Sequence, residues 1–464
     1  MVTFADVNHL KQRVRDIGLS VSAVDSSLIT DLYQLTMAAC YVGEKTETRR
    51  ASFELFVRRL PSGFGYLVAM GLAQALEYLE TFRFTPAQIQ GLQETGIFTS
   101  APSIFWDLLA SAKFSGDVWA VPEGTVVFAN EPLLRVEAPL WQAQIVETYL
   151  LNVLNYQTLI ATRAARIRDV AGDRATLLEF GTRRAFSPQG ALWAARAALA
   201  GGLDGTSNVL AALQLGQRPS GTMAHALVMA LTALEGSEGE AFAAFHRYFP
   251  GAPLLIDTYD SVEAAEGLAA KVNAGEMELA GVRIDSGDLV AVSKQVRSHL
   301  PRTPIFASGD LDEWEIQRLR DAGAEINGYG IGTRLVTGTP VNGVYKLVEI
   351  DGIPVMKESS GKRTYPGRKQ IWRWIGEGKV VGDTLGLMSE SFASSGGDVQ
   401  PLLQLYMQDG VRTQPKESLQ QIRDRTKSSV ASLPAAIRDI SQPMENPVQI
   451  STGLAELTEK TKNR

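Results

Sequence analysis

Charged side chains follow several short apolar runs in the middle of the chain. Arg283 and Asp285 stand two residues apart at the end of one run, so alternation places both on the same side of a β-strand. A guanidinium suits a carboxylate or phosphate, and acidic side chains suit sugar hydroxyls or Mg²⁺. Asp257, Asp288 and Asp310 lie in equivalent loops. An internal Arg–Asp ion pair is the alternative, but the repeated acids favour a sugar-phosphate and metal site.

Closely spaced glycines form a second candidate for anion binding. Residues 328–333 read Gly-Tyr-Gly-Ile-Gly-Thr, and glycines let backbone N–H groups approach a phosphate. The segment is not a Rossmann fingerprint, because Thr333 occupies the position of the third glycine. A plain turn is the alternative interpretation.

Two further segments carry polar side chains suited to an anion. Arg183 and Arg184 close an apolar run, although one of two adjacent arginines is normally a solvated surface charge. Thr222 and His225 stand three residues apart on the first turn of an expected helix, so they share a face. A histidine at a helix start beneath a Gly-Thr pair suits anionic groups, and a satisfied structural histidine is the alternative.

The elements that must position these side chains alternate between strand and helix. Between about 150 and 340, short apolar runs end in small or acidic residues and precede helical stretches, which is typical of β/α units. Ser-Gly-Asp-Leu occurs twice, 22 residues apart, which fits one strand, helix and return. The pattern predicts an α/β barrel with its chemistry on the C-terminal rim; an open doubly wound sheet is the alternative. The expected strands cover 176–180, 254–256, 281–284, 304–307 and 325–329.

The sequence on either side of this block follows a different residue pattern. Residues 115–137 and 343–381 alternate apolar with polar residues around Pro and Gly, as antiparallel strands with tight turns do. We expect both ends of the chain to share one mixed α/β domain. The predicted domains are an N-terminal α/β domain at 1–149, completed by about 341–410, a barrel domain at 150–340 and a helical C-terminal segment at 411–464.

Composition excludes several classes of protein. The 464 residues include 45 Lys plus Arg and 51 Asp plus Glu, and the 45% hydrophobic content is that of a soluble globular protein. The sequence has no stretch dense in Lys and Arg, which argues against nucleic-acid binding. Cys40 is the only cysteine, which excludes an intramolecular disulfide and a Cys-based zinc site. We expect a cytoplasmic protein with no membrane partner, because neither a signal sequence nor an apolar run of about 18 residues occurs.

Taken in order, the motifs of this chain resemble the nicotinate phosphoribosyltransferase family. The resemblance covers roughly residues 25–385 and implies an irregular α/β barrel of the type II phosphoribosyltransferase kind, packed on an N-terminal domain, in a homodimer. The motifs are Thr-Asp-Leu-Tyr-Gln at 30–34, Glu-Phe-Gly-Thr-Arg-Arg-Ala at 179–185, Gly-Thr-Ser-Asn at 205–208, Gly-Thr-Met-Ala-His at 221–225, Arg-Ile-Asp-Ser-Gly-Asp-Leu at 283–289 and Gly-Ile-Gly-Thr at 330–333.

The resemblance also implies a reaction, its cofactors and the roles of residues. Nicotinate, 5-phosphoribosyl 1-diphosphate, ATP and water give nicotinate mononucleotide, diphosphate, ADP and phosphate, with Mg²⁺, as the first step of NAD synthesis from nicotinate. It implies that His225 is phosphorylated. From the rim acids themselves, we expect Asp288 to be a metal ligand. The implied nicotinate contacts are Tyr33, Phe180, Arg183, Ser207, Thr222 and Arg283. The resemblance places Thr333 on the phosphoribosyl side. From their loops, we also expect contacts to the phosphoribosyl group and its phosphates from Asp285, Ser308, Gly309, Asp310, Gly330 and Gly332.

Ser207 separates the close alternatives. Nicotinamide phosphoribosyltransferases carry an acid at this position, which would accept from the amide N–H₂ and repel a carboxylate, so Ser207 favours nicotinate even with Asp204 nearby. Quinolinate phosphoribosyltransferase ranks third, because its second carboxylate would need extra cations. A catalytically inactive metabolite-binding protein on this fold would have no reason to keep His225 together with the metal-facing acids.

Overall fold

The computed structural model describes residues 21–463 apart from 23, 360, 361, 363, 393–397 and 447, so the first 20 residues of the predicted N-terminal domain lie outside the described part. The strands are β1 (Arg50–Val57), β2 (Leu67–Val68), β3 (Asp117–Ala120), β4 (Val126–Val127), β5 (Pro132–Pro139), β6 (Thr176–Glu179), β7 (Gly205–Thr206), β8 (Leu254–Leu255), β9 (Val282–Ile284), β10 (Ile305–Ser308), β11 (Gly328–Ile331), β12 (Gly343–Ile350), β13 (Ile353–Pro354), β14 (Lys369–Gly376), β15 (Lys379–Leu387), β16 (Asp398–Pro401), β17 (Gln404–Gln408), β18 (Val411–Arg412) and β19 (Val448–Ile450).

The helices follow the same chain order, after a short 3₁₀ turn at Ser26–Leu28. They are α1 (Leu32–Gly43), α2 (Leu72–Thr81), α3 (Pro86–Glu94), α4 (Ser103–Ala110), α5 (Leu140–Ile145), α6 (Glu147–Ala171), α7 (Pro188–Ala200), α8 (Val209–Gln214), α9 (His225–Glu235), α10 (Glu238–Tyr248), α11 (Ser261–Asn273), α12 (Leu289–His299), α13 (Glu313–Asp321), α14 (Thr333–Val336), α15 (Leu419–Ala431), α16 (Ala435–Arg438) and α17 (Thr452–Lys462). In the described part of the chain, no helix combines the length and the apolar character needed to cross a bilayer.

Six parallel strands form the centre of the molecule in the order β7-β6-β11-β10-β9-β8. Strands that are consecutive in sequence pair with one another, except β7 and β8, and the last of the six, β11, pairs with the first, β6. A doubly wound sheet reverses its order at a switch point, whereas a barrel keeps a cyclic order. The barrel prediction is therefore confirmed, and the hydrogen-bonded order ends at β7 and β8.

Two strand predictions differ from the structure. The last barrel strand was expected at 325–329 but is Gly328–Ile331, and β7 was not predicted because its two residues contain no apolar run. A Cβ on Gly328 would lie 2.7 Å from ring carbons of Phe306, and one on Gly330 would lie 2.5 Å from ring carbons of Phe180. Glycine is normally weak in strands, but here neighbouring rings fill the space that its side chain would need.

Two larger sheets lie outside the barrel, an antiparallel one and a mixed one in which β15 and β19 pair in parallel. One has seven strands in the order β13-β12-β1-β5-β3-β17-β18, so both ends of the chain contribute to it, as expected. The other is ordered β16-β14-β15-β19. The antiparallel interpretation of 115–137 and 343–381 is confirmed by β3 and β5 and by β12, β14 and β15. The exact domain limits stay predictions.

The long helix α6 joins the barrel to the N-terminal elements. It packs against α7 and α13 on one side and against α2 and β2 on the other. Because two sides are covered, buried residues occur around most of the helix rather than along one stripe. Arg166 of α6 donates through Nε to Glu313 of α13 at 2.8 Å, and both side chains are buried. This pair holds α6 against the barrel.

Aspartate N-caps begin three successive barrel helices. Asp260, Asp288 and Asp312 each accept hydrogen bonds from backbone N–H groups in the first turn of α11, α12 and α13. An acid at this position satisfies unpaired N–H groups and faces the positive end of the helix dipole. The acidic residues of the rim therefore include helix caps as well as side chains that face the cavity described next.

Candidate active site

A cavity of about 820 Å³ lies at the C-terminal rim of the parallel sheet. Its walls are formed by residues that follow β6, β7, β9, β10 and β11, and its size suits a small-molecule ligand. The predicted site residues that line it are Phe180, Arg183, Ser207, Thr222, Arg283, Asp285, Ser308, Gly309, Asp310, Gly330, Gly332 and Thr333. The fold thus brings together residues that range from Phe180 to Thr333 in the sequence, and their roles stay predictions.

Arg283 and Phe180 form one end of this cavity. The Arg283 guanidinium carbon lies 5.9 Å from the centre of the Phe180 ring. Its terminal nitrogens donate to the Thr222 hydroxyl and to the Met223 carbonyl, each at 3.1 Å. Nε is buried and has no hydrogen-bond partner among the described residues. Burial lowers the pKa of Arg283, but a guanidinium stays protonated, so a cation with an unused donor stands beside an aromatic ring.

Acids and hydroxyls line another part of the cavity wall. The Ser308 hydroxyl donates to the Asp285 carboxylate, so Asp285 bonds to Ser308 rather than forming the internal ion pair considered for Arg283. Gly309 and Asp310 both have positive φ, 93° and 47°. A side chain on Gly309 would collide with the Asp285 carbonyl oxygen, so glycine is required there. This turn carries the Asp310 side chain to the cavity wall.

The glycines of β11 act through close packing. Gly330 allows the Phe180 ring to lie directly against the strand, since a Cβ there would meet two ring carbons at 2.5 Å. Gly332 precedes α14, which begins at Thr333 and spans only four residues. The close approach fixes the face that Phe180 presents to the cavity. Contact of these backbone N–H groups with a phosphate stays a prediction.

His225 lies beside the cavity at the start of α9. Its Nδ1 is 3.1 Å from the Thr258 hydroxyl, and its Nε2 is 4.0 Å from Asp257 Oδ1. The Asp257 side chain is only 3% exposed. Asp257 Oδ2 accepts from the Asp285 N–H and the Ser286 hydroxyl, whereas Oδ1 has no hydrogen-bond partner among the described residues. A buried carboxylate and a hydroxyl therefore flank the two ring nitrogens.

Asp257 and Thr258 were not among the predicted site residues. The sequence did carry a signal for Asp257, which ends the apolar run 254–256 and was grouped with the rim acids. Thr258 gave none, because a single threonine after a strand is common in any loop. Only the fold shows that both residues lie beside the His225 ring.

Besides His225, two predicted residues do not line the cavity. Tyr33 lies on α1 and is 46% exposed, and desolvation, with Glu147 and Asp31 nearby, raises the pKa of its hydroxyl. Asp288 caps α12 by accepting from two backbone N–H groups at 3.0 and 3.2 Å. Their roles in nicotinate and metal binding stay predictions. No group of three or more His, Cys, Asp or Glu side chains with metal-binding geometry occurs among the residues that the structure describes.

Sequence models of three domains match this chain: the nicotinate phosphoribosyltransferase N-terminal domain over residues 28–155, the nicotinate phosphoribosyltransferase family over 175–372 and the nicotinate phosphoribosyltransferase C-terminal domain over 390–458. The chain belongs to the nicotinate phosphoribosyltransferase family. Membership confirms the enzyme class predicted from the motifs and a place in NAD biosynthesis, and it does not favour the nicotinamide alternative.

Individual members of the family match over most of their length. The chain is 41% identical to nicotinate phosphoribosyltransferase pncB2 of Mycobacterium tuberculosis over 89% of both chains. It is 39% identical to the nicotinate phosphoribosyltransferase of Bacillus subtilis, over 92% of this chain and 93% of that protein. Its structure resembles that of human nicotinic acid phosphoribosyltransferase with a TM-score of 0.82 at 30% identity, covering 93% of this chain and 99% of the human chain. The type II barrel expected from the sequence is confirmed.

Proposed function

We propose that this protein transfers the phosphoribosyl group of 5-phosphoribosyl 1-diphosphate to the ring nitrogen of nicotinate. The observation that carries the proposal is the pairing of Arg283 with Phe180 in one cavity, 5.9 Å from guanidinium carbon to ring centre. A pyridine ring stacks on the aromatic face, and its carboxylate accepts from the buried Nε donor that has no other partner among the described residues. Family membership supports the same substrate.

The transfer needs positioning rather than a catalytic base. The pyridine nitrogen has a free lone pair at neutral pH, so it attacks C1 of the ribose directly. The C1–O bond breaks, and diphosphate leaves with the bonding electron pair. Positive charge develops on the sugar during this step, and Asp285 and Asp310 line the end of the cavity where the ribose would lie. Arg183 and Arg184 line the same cavity and supply positive charge for anionic groups.

Mg²⁺ is part of the proposal, and the cavity offers acids that fit it. In phosphate-binding sites this ion is commonly held by one or two carboxylates, water and the substrate's own phosphates. Asp285 and Asp310 line the cavity and would hold it there. Mg²⁺ neutralises charge on a leaving diphosphate. Asp288, whose carboxylate caps α12, fits this role less well.

ATP coupling is assigned to His225. A carboxylate facing Nε2 favours a proton on that nitrogen, which leaves the lone pair on Nδ1 next to the Thr258 hydroxyl. Nδ1 takes the γ-phosphoryl group of ATP, the bond from that phosphorus to the β–γ bridging oxygen breaks, and ADP leaves. Water later hydrolyses the phosphohistidine to phosphate. Phosphorylation adds negative charge beside the cavity and can reorganise it.

The state and location of the protein belong to the same proposal. We expect a homodimer in the cytoplasm, with Tyr33 contributing to nicotinate binding. Gel filtration with light scattering tests the dimer, and Tyr33→Phe tests the contact through the nicotinate KM.

Diphosphate release tests the proposed function. The protein is mixed with nicotinate, 5-phosphoribosyl 1-diphosphate and Mg²⁺, with and without ATP, and diphosphate is measured with a coupled enzyme. Release that depends on nicotinate and is stimulated by ATP is the expected result. A protein that binds these metabolites without releasing diphosphate under either condition is not the proposed enzyme.

A further inference from the structure

A buried carboxylate lies directly behind the wall of the cavity. Glu179 ends β6, is only 1% exposed and does not line the cavity itself. Its Oε1 accepts from the Gly181 N–H, and its Oε2 accepts from the Thr206 hydroxyl. Burial raises the pKa of Glu179, and these two hydrogen bonds oppose that rise. The side chain thus bridges the turn after β6 and the end of β7.

One arm of this bridge fixes the position of Ser207. The Thr206 hydroxyl accepts from the Asn208 N–H at 3.0 Å, and Asn208 in turn caps α8 by accepting from the Ala211 N–H at 3.0 Å. The Ser207 N–H donates to the Glu179 carbonyl oxygen at 2.9 Å. Side chain and backbone of Glu179 therefore both bind the 206–208 turn. Ser207, which lines the cavity, sits between two anchored neighbours.

The other arm fixes the turn that carries Arg183. Gly181 donates its N–H to Glu179, and its carbonyl accepts from the Arg184 N–H at 2.8 Å. A side chain on Gly181 would collide with Val336, so the turn is held closely against the barrel. Arg183 and Arg184 line the cavity from this turn. One carboxylate thus sets the separation between the Arg183 turn and Ser207.

Burying a carboxylate is unfavourable unless its oxygens are hydrogen-bonded, and apolar residues fill such a position without that penalty. We propose that Glu179 is a positioning residue, which holds the Arg183 turn and Ser207 at the spacing that fits the pyridine substrate when its carboxylate lies at Arg283. This inference rests on the proposed function, because it names the part of the wall that recognises nicotinate. His225 and its neighbours Asp257 and Thr258 stand on α9 and after β8, outside this bridge.

Thr206→Val tests the bridge, because it removes the hydroxyl and nearly keeps the volume. We expect the nicotinate KM to rise about tenfold, as for loss of a hydrogen bond to a charged group. Phosphorylation of His225 by ATP in the absence of nicotinate should stay within about twofold of wild type. Thr206→Ser keeps a hydroxyl at this position, so its nicotinate KM should stay within about threefold of wild type.

Thr162→Val is the matched control. The Thr162 hydroxyl is also buried, donates to the Thr158 carbonyl at 2.6 Å and accepts from the Val68 N–H, but it lies on α6 and does not line the cavity. Its loss should lower the melting temperature and leave the nicotinate KM unchanged. A KM rise shared equally by the two valine variants would overturn the proposal, because it would reflect general loosening of the fold.

Other results also test the positioning role of Glu179. An unchanged nicotinate KM in folded Thr206→Val, or an equal rise in Thr206→Ser, overturns the positioning role. Should Thr206→Val fail to fold, Glu179→Asp decides, since its shortened side chain cannot reach both donors: a raised nicotinate KM supports the role and an unchanged one overturns it. Wild-type protein that makes no product from nicotinate refutes the proposed function instead, so the two failures are distinguishable.

Discussion

Replacing Arg283 by lysine keeps the positive charge and removes the planar fork. The guanidinium is held in place by the Thr222 hydroxyl and the Met223 carbonyl, both at 3.1 Å, which leaves Nε directed at no protein acceptor in the described part of the chain. An ammonium is a single compact donor group and cannot keep both tethers while also donating to a carboxylate. The charge therefore remains, but the geometry for binding a carboxylate is lost.

The magnitude follows from the contacts that are lost. One charge-assisted contact between the guanidinium and the carboxylate contributes about 2 kcal/mol, which corresponds to a rise of roughly thirtyfold in the nicotinate KM. The assay is initial-rate kinetics with nicotinate varied at saturating 5-phosphoribosyl 1-diphosphate and ATP. Because the expected defect concerns nicotinate, phosphorylation of His225 by ATP alone should be preserved.

Arg297→Lys serves as the matched control for Arg283→Lys. Arg297 lies on α12 and uses its guanidinium to bind backbone carbonyls, including that of Thr303 at 2.7 Å, and the Asn327 side chain at 2.6 Å. It does not line the cavity, so its replacement should affect stability and leave the nicotinate KM unchanged. An unchanged nicotinate KM in Arg283→Lys would refute the placement of the pyridine carboxylate at Arg283.

Three further variants test other parts of the account. His225→Ala should abolish ATP hydrolysis and ATP stimulation while leaving weak transfer without ATP; acid-labile label from γ-labelled ATP that maps to any other residue contradicts this assignment. Ser207→Asp should reduce kcat/KM for nicotinate more than it raises that for nicotinamide, through repulsion of the carboxylate, and a ratio of the two within about threefold of wild type refutes the argument. Burial and the neighbouring Asp383 raise the pKa of the Glu131 carboxyl, so the folded state binds more protons and stability falls as pH rises above the ordinary range of glutamate. Glu131→Gln should flatten that fall in denaturant unfolding measured from the ordinary titration range of glutamate upward, and an unaltered slope excludes Glu131 as its source.

The barrel was predictable because its strands are short apolar runs that end in polar residues. The Ser-Gly-Asp-Leu repeat follows β9 and β10 and indicates loops at the same end of parallel strands. β7 could not be predicted, since Gly-Thr carries no strand signal and its pairing with β6 depends on tertiary contacts. Gly328 and Gly330 concealed the true limits of β11, because the rings that pack against them are distant in sequence.

Site residues were predictable where the side chain itself could bind a substrate. Residues that only hold other site residues in place were not predictable. Arg283, with Asp285 two residues later, stands out at a strand end, and both line the cavity. Asp288 is an acid just before a helix, which is equally the signature of an N-cap, and the structure shows that capping contact. The support given by Glu179 and Thr258 consists of hydrogen bonds across segments, which spacing along the chain does not encode.

The most direct test of the central claim is identification of the product when two substrates compete. Equal concentrations of nicotinate and nicotinamide are incubated with the protein, 5-phosphoribosyl 1-diphosphate, Mg²⁺ and ATP, and the nucleotides formed are separated and identified by mass. The Arg283 and Ser207 geometry predicts nicotinate mononucleotide in large excess, with ADP formed alongside it. Nicotinamide mononucleotide as the main product, or no mononucleotide from either pyridine, would contradict the account.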